Sequence, residues 1–313
     1  MTISIHKMIL AALASAVLLS ILLAAAHVKF PDLSNARPQW LIAVVAAHLA
    51  MVSIRGIALR ALVPEQLRDG FLKWVHLAAR HQLVFSVFPG GVGDAGFPYF
   101  AKRIAGLDLH DAVRTIGQFR MRDLILVALM GSSGLILIGQ PNASAWFLVA
   151  LAIPVLWFSD DIGVGFLRLG MKIVPHSRLI AFFRTATDHE PPATSDRIIR
   201  TALAMAIWSA SVTAVMAAFR AIGAPIHIAE ALVFIAAVNF AGAISLSIAG
   251  LGPSEAGAAA ALVASGRSIQ RASSLALVVR PLLLLSVVSS SLILDLAMSL
   301  IRSRRSVRHA SIP

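Results

Sequence analysis

Long apolar runs separated by basic connections dominate this chain. Six of them are long enough to cross, or nearly cross, the roughly 30 Å hydrocarbon core of a bilayer as helices. They are continuous and do not alternate as barrel strands do. The runs are residues 8–26, 40–59, 115–139, 144–158, 201–222 and 272–301. We therefore predict an all-α polytopic membrane protein with about six transmembrane helices.

Composition agrees with this class. Hydrophobic residues make up 58% of the chain and charged residues 13%, whereas about a quarter of the residues in a soluble domain are charged. The net charge of +12 does not indicate nucleic acid as a partner, because the basic residues lie between the apolar runs. The absence of cysteine excludes disulfides, thiolate metal sites and a cysteine nucleophile.

The basic connections also predict an orientation. With the N-terminus inside, six spans place all the strongly basic segments in the cytoplasm, as the positive-inside tendency requires. These segments are 60–73, 101–114, 159–200 and the tail 302–313. Two alternatives stay open: residues 8–26 also fit a cleaved signal peptide, although the run exceeds a usual signal core, and residues 162–174 could lie at the interface or dip into the membrane.

A glycine-rich, acid-bearing element occurs twice within apolar sequence, at residues 88–96 (FPGGVGDAG) and 248–257 (IAGLGPSEAG). Proline and clustered glycines interrupt a single crossing helix, so each element predicts a re-entrant helical hairpin. Three predicted spans separate the hairpins, which would make them enter from opposite faces as an inverted repeat. We predict a first repeat over residues 1–143 and a second over 144–301, including the cytoplasmic or interfacial segment 159–200.

The correspondence between the two elements extends beyond the glycines and indicates an internal duplication. When one residue of slip is allowed, an acid, a glycine and an arginine recur in step. The matched pairs are Asp94 with Glu255, Gly106 with Gly266, and Arg120 with Arg280.

These elements carry the residue types of an anion-binding site. A helix that starts after a glycine turn presents unpaired N–H groups and a positive dipole end, and arginine grips phosphate or carboxylate with two hydrogen bonds. A carboxylate within apolar sequence is costly unless paired, and Glu255, followed by an alanine run, is harder to explain as a cap. The predicted substrate-binding residues are Gly90, Gly91, Gly93, Asp94, Arg120, Gly250, Gly252, Ser254, Glu255 and Arg280.

A simpler interpretation of the same residues stays open. Asp94 would cap its helix, the glycines would permit close helix packing, and Arg120 would extend to the interface. His48, His76 and His81 lack the spacing of a metal site, and no Ser-His-Asp set, P-loop or nucleotide fingerprint is evident. We predict no catalytic residue, metal or cofactor.

The segment at residues 89–94 with Gly106 and Arg120, and the segment at 250–255 with Gly266 and Arg280, resemble the flippase-like membrane region of bacterial lysylphosphatidylglycerol synthases. The resemblance implies movement of a lipid between leaflets of the bacterial inner membrane, the lipid being anionic or of a polyprenyl or hopanoid type. The chain lacks the soluble aminoacyl-transferring domain of the synthases, so synthase activity is not expected. The second element also carries Pro253-Ser254 where an apolar-basic pair is expected.

The expected function is that of a lipid translocase whose two hairpins line a polar cavity, with both chain termini in the cytoplasm. The alternatives are a membrane enzyme acting on a lipid-linked substrate, which is less favoured, a secondary transporter of a small solute, and a membrane scaffold. A homo-oligomer is compatible with each of them.

Overall fold

All the regular structure in the described part of the chain is helical, which confirms the predicted all-α class. The computed structural model describes residues 36–88, 92–140, 143–162, 192–244 and 250–310. The helices are α1 (Pro38–Leu62), α2 (Phe71–Val87), α3 (Val92–Phe100), α4 (Leu109–Leu137), α5 (Ala143–Trp157), α6 (Thr194–Ala221), α7 (Ile228–Ile244), α8 (Pro253–Ala264) and α9 (Ile269–Ala310). A turn of π-helix, Ala101–Ala105, continues α3.

Among the described residues, three helices are long and apolar enough to cross a membrane: α1, α6 and residues Ile269–Ile301 of α9. They correspond to the predicted spans 40–59, 201–222 and 272–301. Helix α4 has 29 residues, enough to cross, but its first half carries five charged residues. Helix α5, with 15 residues, is shorter than a perpendicular crossing requires.

Two of the predicted membrane segments lie outside the described residues. They are the span at residues 8–26 and, except for Ile162, the segment 162–174.

Each glycine element connects two helices that fold back on one another. Helices α2 and α3 flank the first element and pack together, as α7 and α8 do around the second. The start of α2 lies close to the π-turn that follows α3, because Phe71 and Ile104 line one cavity. The two ends of the second pair also meet, because Arg267 is ion-paired with Glu230. The described parts of each glycine element therefore lie at the closed end of a helical hairpin.

Helix α9 provides a common reference for the two hairpins. The open end of the α2–α3 hairpin lies against Met298 and Ile301. The open end of the α7–α8 hairpin includes Arg267, two residues before α9 begins. The 33 residues of Ile269–Ile301 extend about 50 Å at 1.5 Å per residue. The hairpins therefore open near opposite ends of α9.

The two halves of the bundle repeat the same helical order in one register. Gly106 and Gly266 follow the short helices with φ angles of 76° and 89°, a left-handed conformation that glycine adopts readily. Leu109 and Ile269 then begin the long helices α4 and α9. Both pairs are 160 residues apart (266 minus 106, and 269 minus 109). The common separation supports the predicted duplication.

Packing between the halves follows the same pattern. Helix α4 packs against α7, and its counterpart α9 packs against α2. Helices α1 and α6, which precede the two hairpins, pack against each other. Each long helix thus contacts the first hairpin helix of the other half, as expected for two units related by a pseudo-two-fold axis.

One end of the bundle gathers the described parts of the predicted cytoplasmic segments. Arg200 Nε donates to the Ala61 carbonyl at 3.0 Å, and Arg68 lies 3.7 Å from Asp196. Residues 70–73, Ile104 and Ile301 line a common cavity at the open end of the α2–α3 hairpin. The side of the membrane on which this end lies stays a prediction.

Candidate functional site

The acid and the arginine of the first repeat are bonded to each other. Asp94 lies in the first turn of α3, and Arg120 projects from α4. Arg120 Nε lies 2.9 and 2.8 Å from the two carboxylate oxygens, and Nη2 donates to Oδ1 at 2.8 Å. The guanidinium carbon is also 4.0 Å from the ring centroid of Phe85 on α2. Asp94 therefore neutralises Arg120 and ties α3 to α4.

His81 belongs to this ion pair as well. Its Nε2 atom lies 3.0 Å from Asp94 Oδ1, and the side chain on α2 is fully buried. The Phe97 ring packs edge-on against the imidazole with centroids 5.1 Å apart. His81 on α2 therefore holds the Asp94 carboxylate in addition to Arg120 on α4. Sequence analysis did not assign this role to His81.

A second carboxylate, Asp123, extends the network across three helices. Its Oδ2 atom accepts hydrogen bonds from Arg120 Nη1 at 3.2 Å and from Arg55 Nη2 at 3.1 Å. Its Oδ1 atom accepts from Trp208 Nε1 at 3.1 Å. Arg55 and Asp123 are both buried. Two arginines and two aspartates thus form one connected group, which we call the first-repeat network, between α1, α3, α4 and α6.

The acid of the second repeat is a helix cap. Glu255 Oε2 accepts a hydrogen bond from the Gly252 backbone N–H at 2.6 Å, and the Ser254 hydroxyl lies 3.2 Å from the same oxygen. Pro253 occupies the first turn, where it lacks only an N–H that would be unpaired. The structure thus gives Glu255 the capping role that the sequence made harder to assign to it. Its other oxygen, Oε1, is buried with no hydrogen-bond partner among the described residues.

Arg280 is held in a different way from Arg120. Its Nε donates to the Ser254 hydroxyl at 3.2 Å, and Ser254 donates to the Gly250 carbonyl at 2.7 Å. Within the described part of the chain, no carboxylate lies within ion-pair distance of Arg280, and its two terminal amino groups make no hydrogen bond. Glu255 interacts with Arg280 electrostatically, without a hydrogen bond between them.

The arginine contacts show the register of the two repeats. Arg120 to Asp94 and Arg280 to Ser254 both span 26 residues. The structural counterpart of Asp94 is therefore Ser254, and the one-residue slip that placed it on Glu255 is unnecessary. A carboxylate in the first repeat is replaced by a hydroxyl in the second.

The glycines of both elements serve backbone geometry. A Cβ on Gly93 would lie 2.4 Å from Phe85 Cα, so α3 approaches α2 as closely as glycine allows. Gly257 does the same in α8, where a Cβ would lie 2.7 Å from the Ala237 carbonyl oxygen. Gly250 and Gly252 have positive φ angles. Gly90 and Gly91 lie outside the described residues.

Sequence analysis missed several buried charges besides Arg55 and Asp123. Asp160 accepts hydrogen bonds from Arg122 at 2.5 Å and Arg200 at 3.1 Å, and all three side chains are buried. The sequence could have indicated these residues, because each is a charged residue within or beside an apolar run. Ionised groups at such positions are costly unless they are paired.

The fold and this site define an all-α, multi-pass membrane protein that encloses charged groups between its helices. Residues 8–289 match the family described as the lysylphosphatidylglycerol synthase transmembrane region. The chain belongs to that family, which confirms the resemblance and associates the protein with lipid handling. Comparisons with curated proteins and with solved structures give no match.

Proposed function

We propose that this protein is a flippase-like translocase that moves a lipid with an anionic headgroup between the leaflets of a bacterial inner membrane. The observation that carries the proposal is the difference between the two equivalent arginines. Asp94 neutralises Arg120, whereas Arg280 has a single hydrogen bond within the described residues, to the Ser254 hydroxyl, and no ion pair. Family membership supports a lipid as the substrate.

Arg280 is the proposed anchor for the headgroup. A guanidinium with two unengaged amino groups can form a bidentate hydrogen-bonded pair with a phosphate. The Ser254 hydroxyl accepts the hydrogen bond of Arg280 Nε. The two terminal amino groups of the guanidinium are then available to the ligand. An anionic headgroup would thus replace the carboxylate that the first repeat supplies from its own chain.

The arrangement of the hairpins supports a route across the membrane. We propose that both are re-entrant and form an inverted repeat, because they open near opposite ends of α9. In such a repeat the closed ends meet near the midplane, where a polar group can be held while acyl chains remain in lipid. The gathering of basic segments at one end supports a cytoplasmic location for that end and for the C-terminus.

Reconstitution into vesicles tests this function. Wild-type protein is expected to move fluorescent phosphatidylglycerol between leaflets faster than protein-free vesicles do. Arg280→Gln is expected to slow the movement about tenfold or more, because a hydrogen bond to a charged group contributes roughly 1.5–3 kcal/mol and 1.4 kcal/mol is tenfold. Arg271→Gln is the matched control, since Arg271 is an exposed arginine on the same helix.

Three results would contradict the proposal. The first is movement of every lipid in the panel at the protein-free rate. The second is accumulation of a water-soluble anion without lipid movement, which would indicate a secondary transporter. The third is chemical conversion of the lipid in detergent, which would indicate an enzyme. Equal elution of both variants in size-exclusion chromatography would establish that they are folded.

A further inference from the structure

A cavity of about 470 Å³ lies at the open end of the α2–α3 hairpin, away from the paired Asp94 and Arg120. Pockets of roughly 300–1,000 Å³ hold small organic ligands, so the volume suits one hydrocarbon chain. Its walls come from the start of α2, the π-turn after α3 and the end of the apolar part of α9. The lining residues are Gly70, Phe71, Leu72, Lys73, His76, Ile104, Met298 and Ile301.

The cavity is apolar and opens to the outside of the bundle. Phe71 is 46% exposed and Ile301 is 38% exposed, so the lining continues onto the outer surface. The recess lies where the apolar part of α9 ends, so it would meet lipid acyl chains next to the headgroup region. The lining residue His76, by contrast, is buried at the inner end of the cavity.

The charges around the cavity favour an anion. The nearest buried acid, Asp295, is already bonded to His76 Nε2 and to Arg80 Nε, each at 2.8 Å. None of the lining residues is acidic. Lys73 makes a cation–π contact with Trp74, 5.7 Å from the ring centroid, and no ion pair among the described residues.

We propose that this cavity binds an anionic phospholipid of the surrounding leaflet as a resident ligand. One acyl chain occupies the apolar recess between α2 and α9, and the phosphate pairs with the Lys73 ammonium at the rim. The site is separate from the Arg280 anchor, so it neither requires nor follows from translocation. A lipid held here would fill the gap between the first hairpin and α9.

Thermal unfolding of the purified full-length protein in detergent tests the site. Dioleoyl phosphatidylglycerol is expected to raise the Tm at lower concentration than dioleoyl phosphatidylcholine does. Lys73→Gln is expected to weaken this effect of phosphatidylglycerol about fivefold, since one basic residue near an anionic lipid contributes about that factor. Lys102→Gln serves as the control, because Lys102 is exposed and does not line the cavity.

Two further arms identify the ligand. Met298→Trp is expected to remove the Lys73-dependent part of the effect by filling the recess, and Lys73→Gln is expected to weaken the response by the same factor in an Arg280→Gln background as in the wild type. Inorganic phosphate is expected to leave the Tm unchanged. An equal response to both lipids, an equal response to inorganic phosphate, or equal responses in Lys73→Gln and Lys102→Gln would each overturn the proposal.

Discussion

At the scale of single residues, Asp123 is the most constrained carboxylate of the first-repeat network. It accepts hydrogen bonds from donors on three helices, namely Arg55, Arg120 and Trp208. Within the described residues, the Asp94 carboxylate hydrogen-bonds only with Arg120 and His81, and its side chain is 28% exposed. Because desolvated charges depend on their partners, the two acids should differ in what they contribute. Asp123 holds the bundle together, and Asp94 positions the first hairpin.

The Asp123→Asn substitution is therefore expected to be the more destabilising of the two. It leaves Arg55 as a buried cation without its counter-ion, and removing one partner of a buried pair is destabilising by about 3–5 kcal/mol. Asp94→Asn is expected to cost less, because Arg120 retains Asp123. The measurement is the Tm in detergent, with the exposed Asp69→Asn as the control. Equal losses for both acids would show that the connection through Asp123 is not the stabilising one.

The sequence could predict only the local half of this site. Asp94, Arg120, Ser254 and Arg280 were found because the repeat marks them. Trp208, by contrast, reaches Asp123 across 85 residues, and no local pattern indicates which helices will pack together. The capping role of Glu255 was hard to predict for another reason. Whether its carboxylate bonds a backbone N–H depends on the φ and ψ angles of Gly252, which the residue types alone do not fix.

At the scale of elements, each hairpin depends on a glycine contact between backbones. The atoms that a Cβ on Gly93 would meet include the Phe85 backbone N and Cα, and one on Gly257 would meet the Ala237 carbonyl. Rotation of a side chain cannot relieve such contacts. The glycine content of the elements predicted a break in the helix, but the close approach depends on where the returning helix lies, which only the structure gives.

Gly93→Ala and Gly257→Ala are each expected to destabilise the protein by about 1–3 kcal/mol, as overpacking of a tight interface does. Gly117→Ala is the control, because Gly117 lies in helix α4 with nothing within 4 Å of a built Cβ. It is expected to gain up to about 1 kcal/mol from helix propensity. Chemical or thermal unfolding in detergent would measure all three. Loss of stability in Gly117→Ala equal to that in Gly93→Ala would refute the close-contact explanation.

At the scale of the whole molecule, the arrangement of the halves determines which transport mechanisms are available. The exchange of partners between the halves, α4 with α7 and α9 with α2, gives each hairpin a helix of the other repeat as its support. A parallel repeat would place both hairpin openings at one end of the bundle. Alternating exposure of a central site is simplest when two equivalent units open at opposite ends, so the side of each opening is the property to measure.

Single cysteines at equivalent positions measure it directly, because the native chain contains no cysteine. Leu109 and Ile269 begin the equivalent helices α4 and α9 and are 55% and 58% exposed. In intact cells, an impermeant thiol reagent is expected to label Ile269→Cys and not Leu109→Cys. Asp69→Cys is expected to behave like Leu109→Cys, and Gln140→Cys like Ile269→Cys, since these exposed positions lie in connections predicted on those sides.

Labelling of Leu109→Cys and Ile269→Cys from the same side would make the repeat parallel and would remove the proposed route through opposed hairpins. Arg280 would then still be an anion site, but one without a matching entrance from the other leaflet.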